Sequence, residues 1–427
     1  MSTAAPAIAR SRRRSLLRTL GPGLVTGAAD DDPSGIGTFS QVGAQFGYQL
    51  GWTMLFSYPL MAVTQQISAQ IGRVTGAGIA RNLRRHYSPW LLRGALALLL
   101  VANTANLGAD LGAMAQATQL LTGGPVALFT ILFGVVSVAA ETFLSYDRYA
   151  SVLKWLTLSL FTYVAVVFTV HVQIGEALRN VFVPSMTFDK DHVEALVALL
   201  GTTISPYLFF WQAAQEVEEG TRRHAKPLCV VPNRAEPELE RIRIDTWVGM
   251  GYSNLIALFI IIATAATLHA QGVTDIQSSA RAAQALKPVA GIFAEAVFAV
   301  GIIGTGLLAV PVLAGSVAYA VCEAFGWREG LNRKPREARS FYGTIAAATA
   351  IGTIMNCLPI DPMKALFWSA VINGVVAVPL MAVILVLASK KSVMGEYAVG
   401  RTLKILGIIG AGVMGLAALA MLIPNGG

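Results

Sequence analysis

Apolar residues run along this chain in continuous blocks of about twenty or more, separated by short polar connections. Blocks of that length are what a helix needs to cross about 30 Å of hydrocarbon, whereas a closed β-barrel shows alternating segments of about ten residues. The pattern predicts spans at 19–43, 47–70, 94–121, 124–144, 151–172, 193–217, 246–269, 288–322, 340–358, 363–389 and 402–423, eleven in all. Lipid cannot satisfy backbone N–H and C=O groups, so such blocks predict an all-α integral membrane protein.

Composition agrees. The 427 residues are 55% hydrophobic and only 13% charged, with mean hydropathy +0.60, which removes the soluble, disordered and disulfide-scaffold classes. Cys229, Cys322 and Cys357 are widely spaced without a CxxC pair and read as packing residues. Segment 1–18 is basic and lacks an apolar core followed by a cleavage site, so the first span is expected to be retained. No glycine-rich loop ending in Lys-Ser/Thr occurs, so neither ATP hydrolysis nor another enzyme activity is indicated, and no cofactor is expected.

The net charge of +8 takes its meaning from where the charges lie. With segment 1–18 placed in the cytoplasm, 27 of the 32 Lys and Arg fall on cytoplasmic connections. The opposite face receives Arg179, Lys190, Arg281, Lys287 and Lys364. This bias predicts a multi-pass cytoplasmic (inner) membrane protein with its N-terminus inside and its C-terminus on the opposite side. The lipid bilayer is then the expected partner, and nucleic acid is not.

Two spans are interrupted in their middle. The first carries Asp30-Asp31-Asp32-Pro33-Ser34-Gly35, and the sixth carries Thr202-Thr203-Ile204-Ser205-Pro206-Tyr207. The connection over 220–240, with Pro227, Pro232 and Pro237, reads as an irregular linker between two halves. Interruptions at matching positions of two five-helix halves point to an inverted-repeat transporter with its site at the bilayer midplane. The chain then divides into segment 1–18, a first repeat at 19–172, a second at 193–389 and an eleventh helix at 402–423.

Three aspartates at membrane depth, each costing about 2.5 kcal/mol or more, demand a water-filled cavity, a proton or a cation. Pro33 biases Asp32 away from helical geometry, and Gly35 and Gly37 loosen the chain, so carbonyls near Ala28 and Ala29 become available as oxygen ligands. Asp followed by Pro is also a helix-start signal, and a capping carboxylate keeps lone pairs for an ion. At the second break, Thr202, Thr203, Ser205 and Tyr207 add hydroxyls, which alone would suit a satisfied proline kink. His86, His171, His192, His224 and His269 lie at span ends or in loops, away from both breaks. The run Glu216-Val217-Glu218-Glu219 reads as a solvated helix end or a cation-attracting exit.

These residues resemble the NRAMP divalent-metal transporters, a family whose fold is like that of the LeuT class. The resemblance rests on Gly21-Pro22-Gly23, Asp32-Pro33-Ser34-Gly35, Gln41-Val42-Gly43-Ala44-Gln45-Phe46-Gly47-Tyr48, Gly72-Arg73-Val74-Thr75-Gly76 and Met394-Gly395-Glu396. The family signature Asp-Pro-Gly-Asn ends in a metal-binding Asn where this chain has Gly35. Its sixth-span Ala-x-x-Met-Pro-His becomes Thr202-Thr203-Ile204-Ser205-Pro206-Tyr207, replacing a thioether by a hydroxyl. Its third-span Asp-Leu-Ala-Glu, associated with proton movement, becomes Asn106-Leu107-Gly108-Ala109. The pattern is similar to that of the NRAMP-related magnesium transporters, because an all-oxygen site suits Mg²⁺ better than a softer ion.

The resemblance implies a metal site built from Asp32, Asp31, Ser34, Thr202, Ser205, the Ala29 carbonyl and Asn373, which lies on a tenth span that lines the site. Asn373 equally suits an interhelical hydrogen bond beside Gly374. Asp30, Asp110, Thr203 and Tyr207 fall around this set as supporting or relay groups. The expected activity is import of partly hydrated Mg²⁺ by uncoupled alternating access. One competing reading is a proton-coupled Mn²⁺ or Fe²⁺ transporter with Asp110 as relay. Another is an organic-solute symporter, such as one for amino acids, binding a carboxylate at half-helix N-termini; the anionic cluster opposes it.

Overall fold

The computed structural model describes residues 21–144, 156–276, 278–358 and 361–422. Segment 1–18, Arg148, Lys154 and the start of the fifth expected span lie outside these residues. Among the described residues all regular structure is helical. The helices are α1 (Pro22–Asp30), α2 (Pro33–Phe46), α3 (Trp52–Thr75), α4 (Ile79–His86), α5 (Pro89–Thr122), α6 (Val126–Phe143), α7 (Phe161–Thr169), α8 (Ile174–Phe182) and α9 (Lys190–Thr203). They continue with α10 (Pro206–Arg222), α11 (Ala235–Thr267), α12 (Ser279–Gln284), α13 (Lys287–Ala290), α14 (Ala294–Phe325), α15 (Arg339–Met355), α16 (Pro362–Ser389), α17 (Lys391–Met394) and α18 (Arg401–Ala420).

Seven stretches among the described residues are long and apolar enough to cross a membrane: Pro89–Thr122, Val126–Phe143, Lys190–Arg222, Pro232–Gln271, Lys287–Phe325, Pro362–Ser389 and Arg401–Ala420. The other four expected spans have visible reasons for falling short. The first is split into pieces of 9 and 14 residues, and α15 has 17. Helix α3 carries Gln65, Gln66, Gln70 and Arg73, all buried in the bundle, and the fifth span lies partly outside the described residues.

The broken helices form the centre of the bundle and approach their neighbours through glycine. A Cβ on Gly27 would lie 2.2 Å from the Gly249 carbonyl oxygen, and one on Gly23 would lie 2.8 Å from the Asp245 carbonyl carbon, so α1 rests backbone to backbone on α11. Gly72 of α3 meets the Ala213 oxygen of α10 at 2.1 Å in the same sense, and Gly201 of α9 meets the Ala370 oxygen of α16 at 2.0 Å. Small residues let helix axes close in where no hydrophobic driving force separates lipid from protein.

The first turn of α1 is held from outside. Asp245 of α11 accepts the backbone N–H groups of Gly21 and Gly23, each at 2.8 Å, and of Leu24 at 3.1 Å. A carboxylate at a helix N-terminus satisfies orphan donors and opposes the positive end of the dipole. Glu323 of α14 does the same for α4, accepting from Gly78 N–H at 2.7 Å and Arg81 N–H at 3.2 Å.

Three expectations are corrected here. The linker is shorter than 220–240, because α10 runs to Arg222 and α11 starts at Ala235; Pro237 sits in the first turn of α11, where its missing N–H costs no helical bond. The acidic run is not a solvated end: Glu216 is buried against Arg241, and Glu218 accepts from the Tyr319 hydroxyl at 2.8 Å. Only Cys322 is buried; Cys229 and Cys357 are exposed.

Replacing Gly27 by Val is expected to destabilise the protein by at least about 2 kcal/mol, because the opposing atom is backbone. Gly412→Ala, which meets nothing within 4 Å, serves as the neutral control. Thermal unfolding in detergent measures both, and equal midpoints would refute the backbone-contact account.

Candidate functional site

The two breaks share one local grammar. After α1 ends at Asp30, Asp31 takes φ −77°, ψ 54° and Asp32 takes φ −77°, ψ 169°; Pro33 then starts α2. After α9 ends at Thr203, Ile204 takes φ −116°, ψ 61° and Ser205 takes φ −76°, ψ 126°; Pro206 then starts α10. In each case a proline forces its predecessor into the extended region and then accepts the first helical position.

Asp32 caps α2, as the Asp-Pro pair predicts, with Oδ1 accepting the Gly35 N–H at 2.7 Å. Its other oxygen faces α5 and α10. Asn106 Nδ2 donates to Oδ2 at 3.0 Å, and the Tyr207 hydroxyl lies 3.2 Å from the same atom and 3.3 Å from the Ala29 carbonyl oxygen. Asn106 also reaches Asp110 Oδ2 at 3.5 Å and accepts from Asn373 Nδ2 at 3.2 Å. Helices α2, α5 and α10 therefore meet at one carboxylate, and α16 joins them through Asn106.

Asp30 and Asp31 turn the other way. The Ser253 hydroxyl of α11 lies 2.7 Å from Asp30 Oδ2 and 3.0 Å from Asp31 Oδ1. Asp30 Oδ1, Asp31 Oδ2 and Asn373 Oδ1 are buried without a hydrogen-bond partner. Among the described residues no three His, Cys, Asp or Glu side chains converge in a manner suited to a metal ion. The acidic run is thus not a three-carboxylate cage, because its non-helical backbone sends Asp32 to one side and Asp30 and Asp31 to another. Asp30, Asp31, Asp32, Asn106, Asp110, Tyr207, Ser253 and Asn373 are each at most 3% exposed, so the site is occluded.

Ser34, Thr202, Thr203 and Ser205 are buried around the same breaks. Thr203 and Ser205 spend their protons on the end of α9: Thr203 donates to the Leu199 oxygen at 2.9 Å and Ser205 to the Thr202 oxygen at 2.9 Å. Their lone pairs remain open to a cation or water. Thr202 Oγ1 lies 3.2 Å from where a Cβ on Gly35 would stand, so Gly35 and Thr202 are complementary in volume. Sequence reasoning missed Asn106 and Ser253 as members of the site. Asn106 had a signal, since it precedes Asp110 by one helical turn in an apolar span; nothing distinguishes Ser253 in sequence.

A family model described as natural resistance-associated macrophage protein-like, Nramp, matches residues 23–424. Among similar proteins, the divalent metal cation transporter MntH of Aeromonas hydrophila is 25% identical over 93% of this chain and 92% of its own. That of Deinococcus radiodurans is 27% identical over 92% of this chain and 87% of its own. In fold, the chain is similar to a crystal structure of the Eremococcus coleocola manganese transporter, with TM-score 0.74 and 17% identity over 98% of this chain and 88% of that one. It is also similar to MhsT in complex with L-phenylalanine, with TM-score 0.63 and 13% identity over 94% of this chain and 96% of that one.

Ser253→Ala removes the donor shared by two buried carboxyl groups and is expected to cost about 1–3 kcal/mol. Thermal unfolding tests this. Ser253→Thr keeps the hydroxyl and should retain most of the stability; a loss as large as that of Ala would exclude the hydrogen-bond explanation.

Proposed function

Because the chain belongs to the Nramp family, we propose that it carries divalent metal cations across a membrane by alternating access, with Mg²⁺ as the substrate. One observation supports the choice of ion above the others. Among the described residues, the side chains that hydrogen-bond Asp32 or the acids beside it are amides or hydroxyls: Asn106, Tyr207 and Ser253. Mg²⁺ prefers oxygen and parts reluctantly with its waters, so a site offering one or two carboxylates and several water-holding groups suits it. Asp32 Oδ2 and the Ala29 carbonyl are the proposed direct ligands, with Asp31, Ser34, Thr202, Ser205 and Asn373 holding the ion or its retained waters. A cation at Oδ2 exchanges with the two donors that now occupy it. The proposed moving parts are the two halves, 19–172 and 193–389, with the N-terminus in the cytoplasm and the C-terminus on the opposite side.

The positions that read Asn106, Ala109 and Tyr207 carry no group that titrates near neutrality, which supports uncoupled, potential-driven uptake. A second reading has its own support: relatives are named as MntH or manganese transporters, and Asp110 lies one hydrogen bond from Asn106. In that reading Mn²⁺ enters with protons and Asp110 relays them.

Purified protein in liposomes separates the two, with Mg²⁺ entry, Mn²⁺ entry and internal pH followed together. Mg²⁺ entry without acidification is expected, and Asp32→Ala should reduce it roughly tenfold or more, equivalent to about 1.4 kcal/mol. Mn²⁺ entry with acidification and no Mg²⁺ flux would replace the first reading by the second.

Ser205→Met returns a soft sulfur to the second break. The ratio of Mn²⁺ to Mg²⁺ uptake is expected to rise by about tenfold. An unchanged ratio would show that position 205 does not contact the ion.

A further inference from the structure

A groove far from the acidic site lies between the C-terminal end of α16 and the first half of α18. It is open on one side, has a volume of about 460 Å³ and has an apolar wall that includes Leu385, Val386 and Ile408. Its mouth is polar and basic, formed by Ser389, Lys390 and Lys404. Three features distinguish it from ordinary lipid-facing surface. The Ser389 hydroxyl is buried yet has no hydrogen-bond partner. Lys390 Nζ lies over the Tyr87 ring, 4.4 Å from its centre. Lys404 is exposed in the second turn of α18, near the positive end of that helix's dipole.

The mouth belongs to the basic face of the bundle. The connection joining α16 to α18 docks there, with the Tyr397 hydroxyl donating to the Pro232 carbonyl at 3.2 Å. Ala382, at the far end of the groove, lies eight residues before Lys390, so the apolar wall descends about 12 Å from the lysines along α16. Two lysines and an unpartnered hydroxyl at one end of an apolar slot of that length match one class of molecule. We infer that this groove binds an anionic phospholipid, with its phosphate between Lys390, Lys404 and Ser389 and the upper part of one acyl chain against Leu385, Val386 and Ile408. Basic pockets between transmembrane helices recognise acidic headgroups in this way. The inference does not depend on which cation the protein carries.

The test measures the thermal midpoint of the full-length protein in neutral detergent while phosphatidylglycerol, or phosphatidylcholine with the same acyl chains, is added as mixed micelles. Soluble glycerol phosphate forms a third arm. Phosphatidylglycerol is expected to raise the midpoint saturably, and the other two are not. Lys404→Gln, which leaves the Lys390–Tyr87 contact intact, should raise the half-saturating concentration roughly fivefold, about 1 kcal/mol. Val386→Trp fills the slot without changing charge and should abolish most of the rise. Arg243→Gln removes an exposed basic side chain outside the groove and should leave the response unchanged. The inference is overturned if phosphatidylcholine matches phosphatidylglycerol, if glycerol phosphate alone gives the full rise, if Arg243→Gln weakens the response as much as Lys404→Gln, or if neither groove variant changes it.

Discussion

The centre of this structure is organised by the interruption of two helices inside the bundle, where the broken backbone is buried and must be served by the protein itself. Each interruption strands N–H groups at the start of one half-helix and carbonyls at the end of the other. The chain serves them locally, with Asp32 capping Gly35 and with Thr203 and Ser205 returning their hydroxyls to the carbonyls of α9. Local service is incomplete for the acids, whose remaining oxygens need partners from other helices. Asn106 of α5, Tyr207 of α10 and Ser253 of α11 supply those partners, and Asn373 of α16 joins them through Asn106.

The same constraint extends to the far end of α1. Asp245 takes three backbone N–H groups there, and a buried carboxylate in that position itself needs a counter-charge. Arg241, one helical turn away on α11, lies 3.9 Å from Asp245 and also pairs with Glu216 of α10 and Glu238, while Glu238 pairs with Arg73 of α3 at 3.2 Å. Both broken helices are thereby tied to α3 and α11 by one partly buried ionic network. Such networks contribute little net stability compared with an apolar replacement, but losing one member is costly. Their value is in fixing which backbone ends meet, and any motion of α1 relative to α11 must exchange these bonds for water or for other partners.

Much of this was legible in the sequence, because hydropathy and proline placement act locally. The breaks at Asp30–Gly35 and Thr202–Tyr207 lie where the residues put them, and the Asp32-Pro33 cap is realised as the helix-start signal implies. What sequence could not show is direction. Three adjacent aspartates look like one cluster on paper, yet a single extended residue sends Asp32 to α5 and α10 and leaves Asp30 and Asp31 with Ser253. Ser253 is one hydroxyl among many in an apolar helix, so its role depends on the contacts at Gly23, Gly27 and Asp245 that seat α1 against α11. Glu216 misled for a related reason: its partner Arg241 is 25 residues away, across a linker whose path the sequence does not specify.

The Gly35–Thr202 pair shows how the pocket's chemistry and its volume are bound together. With only 3.2 Å between a virtual Cβ on Gly35 and Thr202 Oγ1, a side chain at 35 and a hydroxyl at 202 compete for one space. An amide at 35 would offer a direct ligand at the cost of room, whereas glycine with threonine keeps room and supplies a hydroxyl. A cation that sheds its hydration shell easily gains from the first arrangement, because direct ligands replace its waters. One that holds its waters gains from the second, because retained waters need both volume and hydrogen-bonding partners at their outer side. The buried, unpartnered Asn373 Oδ1, whose amide donates to Asn106 beside Asp32, is an acceptor of that second kind. The absence of a bulky ligand at position 35 and this open acceptor near Asp32 point the same way, and under the proposed reading they favour an ion bound through its water.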